Sequence, residues 1–323
     1  IHQQGGDVKK KIRILAVSKP TTFGPGVGYS HHAQALNHPD FELVDLTQDI
    51  WDDPNGFSKF DFVWAYVRFQ PIILARAKEA GIPFIGGPNV VMERADKGIT
   101  DDWERWYLEE SGADVNLNVA DYYTNHVKQF AKGIKRCETL EYCYELPMIQ
   151  PVNKSRDIDV LVYVKDRVND GKSFKMATMF CEKLEHDGLT YKIINYGSYE
   201  NEDYLRACSN AKVTAWFCIE DYCSLAQMEA QNLGSCVIGT PYNLTIPVAD
   251  EAICKNSQVM NEWIEWKDEK TVVSDYYNTM NAILRELNLN ERVQHQSSTR
   301  FSHAEYRKNV HTLLDKIRGQ DDG

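Results

Sequence analysis

Val213-Thr-Ala-Trp-Phe-Cys218 leads into the acidic pair Glu220-Asp221, then into Tyr222-Cys-Ser-Leu-Ala-Gln-Met-Glu229-Ala-Gln-Asn-Leu-Gly234 and Ser235-Cys-Val-Ile238. The outer pieces are short apolar runs, as expected of strands buried on both faces. The piece between them reads as a helix over 224–233, opened by Ser224 with Gln227 three residues on and closed by Gly234. Strand, helix, strand is a βαβ unit, and that unit requires a parallel sheet. The Ser224–Gln227 capping box sets bare backbone N–H groups at the carboxyl end of a strand, a place suited to a phosphate. Glu229, about a turn and a half into the helix, is placed to accept hydrogen bonds from a ribose diol.

The same alternation extends in both directions. Upstream, strand 159–164, helix 174–187, strand 191–195 and helix 202–208 lead into the decisive stretch. Before them, Pro147-Met-Ile-Gln-Pro151 and the polar run to Asp157 read as a linker. The first part repeats the pattern: strand 12–17, a glycine loop Gly24-Pro-Gly-Val-Gly28, helix 30–36, and strands at 41–46 and 60–66. A helix over 72–80 follows, then strand 82–85, an acid-rich helical region from 101 to 145, and Val115–Val119 as the last strand of this part. The tail 301–317 is an amphipathic helix with Ser302 and Glu305 as a capping box and Tyr306, Val310, Leu313, Leu314 and Ile317 on one face. The expected fold class is α/β: two Rossmann-like domains facing each other across a cleft, with ligands at the carboxyl ends of the strands.

Composition narrows the functional classes. The chain has 323 residues, 43% hydrophobic and 26% charged, which fits two globular domains and excludes disorder and collagen-like repeats. Its net charge is −11, and its two halves carry −5 and −6, so neither is a basic module for nucleic acid. A DNA acceptor is disfavoured on that ground. No stretch reaches the ~20 apolar residues of a membrane span, and residues 1–6 hold no apolar run that would read as a secretory leader. The eight cysteines form no CxxC pair; Cys181, Cys208 and Cys236 fall in apolar periodic segments, as small core hydrophobes do. A reduced, cytoplasmic protein is the expectation. No P-loop, HExxH, GxSxG or strand-end DxD pattern is present, so a metal-independent mechanism without a resident cofactor is expected.

Asp221-x7-Glu229, a small-residue helix ending in Gly234 and an apolar strand together resemble the signature of the retaining glycosyltransferases of the GT-B fold, above all glycosyltransferase family 4. Tyr204-Leu-Arg-Ala-Cys-Ser-Asn-Ala-Lys-Val-Thr-Ala-Trp-Phe217 resembles the helix and strand that precede this motif in the family. Arg300-Phe-Ser-His-Ala-Glu-Tyr306 resembles the start of the family's C-terminal helix, which crosses back to the first domain. The resemblance implies an N-terminal acceptor-binding domain over 1–150, a nucleotide-sugar domain over 151–300, and a crossover helix and tail over 301–323. It is tightest in residues 159–240. Asp221 stands where the family has a Glu, one methylene longer, and Tyr222-Cys-Ser replaces an aromatic-Gly pattern.

Carried onto this sequence, the resemblance gives Asp221 the donor sugar, Glu229 the ribose, and the amides of Cys223, Ser224 and Leu225 the diphosphate, with Tyr222 beside them. Arg167 and Lys172, five residues apart after the strand 159–164, match the cations that neutralise the leaving diphosphate, with Lys165 nearer the strand end. Asp221, Arg167 and Lys172 are therefore the expected catalytic set. Gly26 and Gly28 resemble the glycine loop that faces the diphosphate from the first domain. Tyr196 and Gly197 shape the donor pocket, and His31 and Asn89 are the candidates for acceptor binding. The implied partners are a UDP- or GDP-sugar and a glycan, lipid or small-molecule acceptor. The compact length points to a viral or phage-encoded version. A DNA-base glycosyltransferase, a nucleotide-sugar epimerase and a non-catalytic nucleotide-sugar binder are the alternatives.

Overall fold

A computed structural model describes residues 11–18, 28–91, 99–119, 121–143, 156–166, 171–218, 225–233, 235–239, 268–289 and 302–319. The chain divides into two compact units, residues 1–143 with 300–323, and residues 144–299.

In the first unit a six-stranded parallel sheet runs β2-β1-β3-β4-β5-β6. Its strands are β1 (Ile12–Val17), β2 (Phe41–Asp45), β3 (Phe62–Val67), β4 (Phe84–Asn89), β5 (Val115–Asn118) and β6 (Arg136–Thr139). The helices between them are α1 (Gly28–Ala35), α2 (Gln48–Asp52), α3 (Pro71–Glu79), α4 (Asp102–Glu109) and α5 (Asp121–Val127). Val115–Asn118 is not the last strand of this unit: Arg136–Thr139 pairs beside it in parallel register, Val115 with Arg136 and Asn118 with Thr139. Arg-Cys-Glu-Thr carries no apolar run because it is an edge strand, half-exposed along most of its length.

The tail helix α10 (His303–Arg318) belongs to this unit. Ser302 Oγ accepts from Glu305 N–H at 3.2 Å, so the capping reading holds. Tyr306, Val310, Leu313, Leu314 and Ile317 are buried against Ile14, Ala16, Phe62, Trp64 and Tyr66 of the sheet and Ala35 and Leu36 beside α1. His32 is the hub of that contact. It is completely buried, its Nδ1 shares a hydrogen bond with Tyr306 Oη, and the rings of Tyr306 and Tyr142 lie 5.0 and 5.1 Å from its own. Arg307 reaches from α10 to donate to Ala35 O at 3.2 Å.

The second unit is a four-stranded parallel sheet, β10-β9-β7-β8. Its elements are β7 (Ile158–Val164), α6 (Lys172–His186), β8 (Tyr191–Asn195), α7 (Asn201–Asn210), β9 (Ala211–Phe217), α8 (Leu225–Asn232), β10 (Cys236–Ile238) and α9 (Glu269–Leu289). Strand alternation divides the core in two. Val160, Val162 and Val164 pack with Phe180 of α6 and Tyr276 and Met280 of α9. Leu161 and Tyr163 pack with Tyr204 and Cys208 of α7 and Ala230 of α8. Helices therefore cover both faces, which is why these strands read as continuous apolar runs. Cys181, Cys208 and Cys236 are buried free thiols in these cores. Among the described residues no helix is long and apolar enough to cross a membrane.

At Gly87 both the space and the backbone conformation call for glycine. Gly87 in β4 has φ +124°, and a Cβ there would collide with the carbonyl oxygen and Cβ of Leu117 on β5. Gly87→Ala is therefore expected to destabilise the first unit by about 2 kcal/mol or more, through backbone strain and displacement of the neighbouring strand. A urea-unfolding midpoint equal to that of the wild type would refute this.

Candidate functional site

Strand order marks a candidate site in the second unit. The chain runs from β7 outward to β8, then returns to β9 on the other side of β7. The direction of winding reverses between β7 and β9, and ligands in open α/β sheets bind in the crevice outside the strand ends at such a point. Here that point is where Lys165 N–H, just past β7, donates at 2.9 Å to the carbonyl of Phe217, the last residue of β9. The two segments that the sequence singled out, 165–172 and 218–229, leave the sheet from these adjacent strand ends.

Lys165 is the distinctive residue of the crevice. It is only 5% exposed, and its Nζ lies 4.5 Å from the ring centroid of Tyr196, in the turn after β8. A lysine withdrawn from water this far is costly unless its charge has partners, and a tyrosine face supplies part of that compensation. Gly197 follows at φ +80°, a left-handed turn that a residue with a Cβ resists. Tyr196 itself remains 52% exposed, so the platform under Lys165 borders solvent.

Lys172 is the first residue of α6 and is exposed. The preceding Gly171, at φ +70°, offers no capping side chain. The helix thus starts with a cation at its first position and no side-chain cap. Glu229 lies in the second turn of α8 and is 7% exposed. Burial raises the proton affinities of Tyr199, Tyr204 and Cys208, and the Glu229 carboxylate adds to the rise in each, which places it among those three groups. Tyr163 and Tyr199 share a hydrogen bond of 3.0 Å, and Tyr204 Oη donates to Ala226 O of α8, so the layer around Glu229 is fixed by hydrogen bonds. Leu225, the first residue of α8, is half-buried. Arg167, Asp221, Tyr222, Cys223 and Ser224 lie outside the described residues, as does Gly26.

The first-unit candidates are placed as follows. Gly28 is the first residue of α1. His31 is buried on the same helix, and its carbonyl accepts from the Cys143 thiol at 3.2 Å. Asn89 ends β4, half-buried, with its Oδ1 accepting from Tyr142 Oη at 3.0 Å. The sequence reading did not anticipate a cavity of about 730 Å³ in this unit, lined by Ser18, Thr47, Trp51, Arg68, Phe69 and Gln70 among others. It sits at the carboxyl ends of β1, β2 and β3, where the order β2-β1-β3 makes this sheet's own reversal point. Ser18 carries φ +81°, an uncommon conformation for a residue with a side chain. Among the described residues no group of three His, Cys, Asp or Glu is placed to hold a metal ion.

No family model matches the sequence, and no curated protein sequence matches it. Solved structures do. The chain is similar to HepE from Anabaena in complex with UDP and glucose, at 9% identity over 94% of this chain and 100% of that one, with a TM-score of 0.52. It is similar to the apo form of the lipopolysaccharide outer core galactosyltransferase WaaB, at 11% identity over 95% and 99% of the two chains, with a TM-score of 0.52. The sucrose-phosphate synthase of Thermosynechococcus elongatus matches at 10% identity over 96% and 100%, with a TM-score of 0.51. At these identities the likeness defines the fold alone. That fold is the α/β GT-B fold, as the resemblance implies.

Proposed function

We propose that the chain is a retaining, metal-independent glycosyltransferase of the family 4 kind, acting in the cytoplasm on a UDP- or GDP-sugar. The observation that carries this reading is Lys165, a buried lysine on a tyrosine face at the reversal point of the second unit's sheet. A buried cation at a strand end, beside a helix start bearing Lys172, is what a nucleoside diphosphate requires. The donor's anomeric carbon breaks its bond to the diphosphate oxygen and forms one to an acceptor hydroxyl oxygen on the same face. The hydroxyl proton passes to the departing diphosphate. Negative charge grows on that diphosphate, and Lys165, Arg167 and Lys172 stabilise it without reorganising. Asp221 holds the sugar and Glu229 the ribose. UDP-containing neighbours favour a uridine donor. The acidic balance of both halves disfavours a DNA acceptor.

A thermal-shift panel of UDP-, GDP-, ADP- and TDP-sugars without added metal tests this. One nucleotide at ~100 times its dissociation constant is expected to stabilise the protein by about 2.7 kcal/mol. The same panel on Glu229→Gln is expected to show a loss of that shift, because an amide accepts a diol poorly. Failure of every nucleotide sugar to shift the wild type would remove the transferase reading.

A further inference from the structure

The geometry points to the outer edge of β8 as the surface on which a second copy of this chain docks, strand antiparallel to strand about a two-fold axis. β8 ends the sheet order β10-β9-β7-β8 and runs in unbroken register with β7, from Tyr191 beside Val160 to Asn195 beside Val164. Thr190 O accepts from Val160 N–H at 3.1 Å, and Tyr196 N–H donates to Val164 O at 2.8 Å. Residues 190, 192, 194 and 196 therefore turn their main-chain groups toward β7, and Tyr191, Ile193 and Asn195 turn theirs outward. Edge strands are ordinarily blunted by a bulge, a proline or several charges. β8 carries one lysine.

Apolar side chains gather at the same edge. Of the four large hydrophobic residues exposed among the described residues, Ile193 lies on β8, Tyr196 just beyond it and Phe174 on α6. Tyr191 Oη donates to Glu185 of α6, so the flank of α6 that carries Glu185 faces β8. Phe174, three turns earlier, shares that flank and is 57% exposed. Ile193, two residues from Tyr191, stands on the same face of the sheet and is 45% exposed. An antiparallel pair centred on Ile193 lets the two Ile193 residues exchange N–H···O bonds and brings their side chains together. Asn195 N–H of each copy then meets the Tyr191 carbonyl of the other. One patch serves both copies, as a closed two-fold interface requires.

Charge selects the partner and the register. Ile194 packs with Tyr204 and Leu205, so α7 covers the face of β8 to which Ile194 and Lys192 both point. Beyond the carboxyl end of β8, α7 opens with Glu200 at its N-cap and Glu202 and Asp203 in its first turn. Among the described residues Arg206 pairs with Glu202, and Glu200, Asp203 and Lys192 form no ion pair. Centring on Ile193 sets Lys192 of each copy opposite Ile194 of the other, two residues nearer those carboxylates than it stands in its own chain. Centring on Lys192 would oppose two lysines, which is unfavourable. The edge is thus its own complement, a cation on the strand and carboxylates past its end.

The test is sedimentation of the full chain over a range of concentrations, with variants at the axis. The wild type is expected to form a dimer. Ile193→Pro removes an outward N–H and no bond to β7, so the sheet is spared. Its dimer dissociation constant is expected to rise at least tenfold. Lys192→Glu, which sets carboxylate against carboxylate, is expected to weaken the dimer likewise. A short bismaleimide is expected to link Ile193→Cys into a covalent dimer, since Cα atoms in such a pair lie about 5.5 Å apart. A wild type that stays monomeric at its highest soluble concentration would overturn the assignment. So would a dimer that Ile193→Pro or Lys192→Glu leaves intact. Failure of Ile193→Cys to cross-link would overturn it too, because any dimer would then use another face.

Discussion

Lys165→Met is expected to lower the affinity for UDP about a hundredfold. Methionine keeps the length of the buried stem and removes only the charge, so the packing at the end of β7 is retained. A charge-assisted contact to a diphosphate in a site shielded from water is worth about 1.5–3 kcal/mol, which corresponds to roughly 10–150-fold in affinity. Calorimetric titration of wild type and variant at two salt concentrations checks this. The ratio of the two affinities should change little between the two salt concentrations, because a buried cation is weakly screened. Equal UDP affinity in the two proteins would mean that Lys165 is a structural lysine and that the diphosphate sits elsewhere.

A second large effect is expected from His32. Burial, with His31 as a like-charged neighbour, holds its pKa down to about 3, against about 6.5 in an unfolded chain. Below pH 6.5 the unfolded state therefore binds a proton that the folded state refuses. Stability of the first unit should be fullest above 6.5 and should fall by about 1.4 kcal/mol per pH unit down to about 3. Between pH 6.5 and 5 that is about 2 kcal/mol. The phenol rings of Tyr66, Tyr142 and Tyr306 surround the imidazole. His32→Gln keeps a neutral hydrogen-bonding side chain and removes the titration. Urea unfolding of both proteins at pH 7 and pH 5 should show a difference in slope of this size. Parallel pH dependences would show that the imidazole takes its proton in the folded protein.

Much of the architecture was readable without coordinates because its signals are local. Ile158–Val164 and Ala211–Phe217 form strands within two residues of their predicted ends, since a parallel strand covered on both faces must be apolar throughout, and Tyr191–Asn195, a largely exposed edge strand, also lies where it is predicted. The tail helix shows its buried stripe and its cap in sequence, and both are in place. Of the elements that escaped, two did so for opposite reasons. The β6 edge strand has no apolar run to show. α9, beyond the last strand read, does carry the signal: Val272, Val273, Tyr276, Met280, Ile283 and Leu284 recur at helical spacing and all are buried.

The site divides along the same line. The expectation that ligand chemistry belongs to the segments after β7 and β9 came from sequence, because a βα connection puts the loop and the helix start at a strand's carboxyl end whatever the rest of the sheet does. Residue order alone could not show that these two ends are neighbours. Adjacency of β7 and β9, with Lys165 closed against Tyr196 after β8, depends on a strand order that arises only when three connections pack together. The first unit's cavity draws its walls from residues 17–18, 46–51 and 68–73, each unremarkable in its own stretch. Periodicity, caps and turns act over a few residues, and the chain states them directly. Which strand lies beside which, and so which side chains share a crevice, is settled by burial of whole faces and exists only in the folded protein.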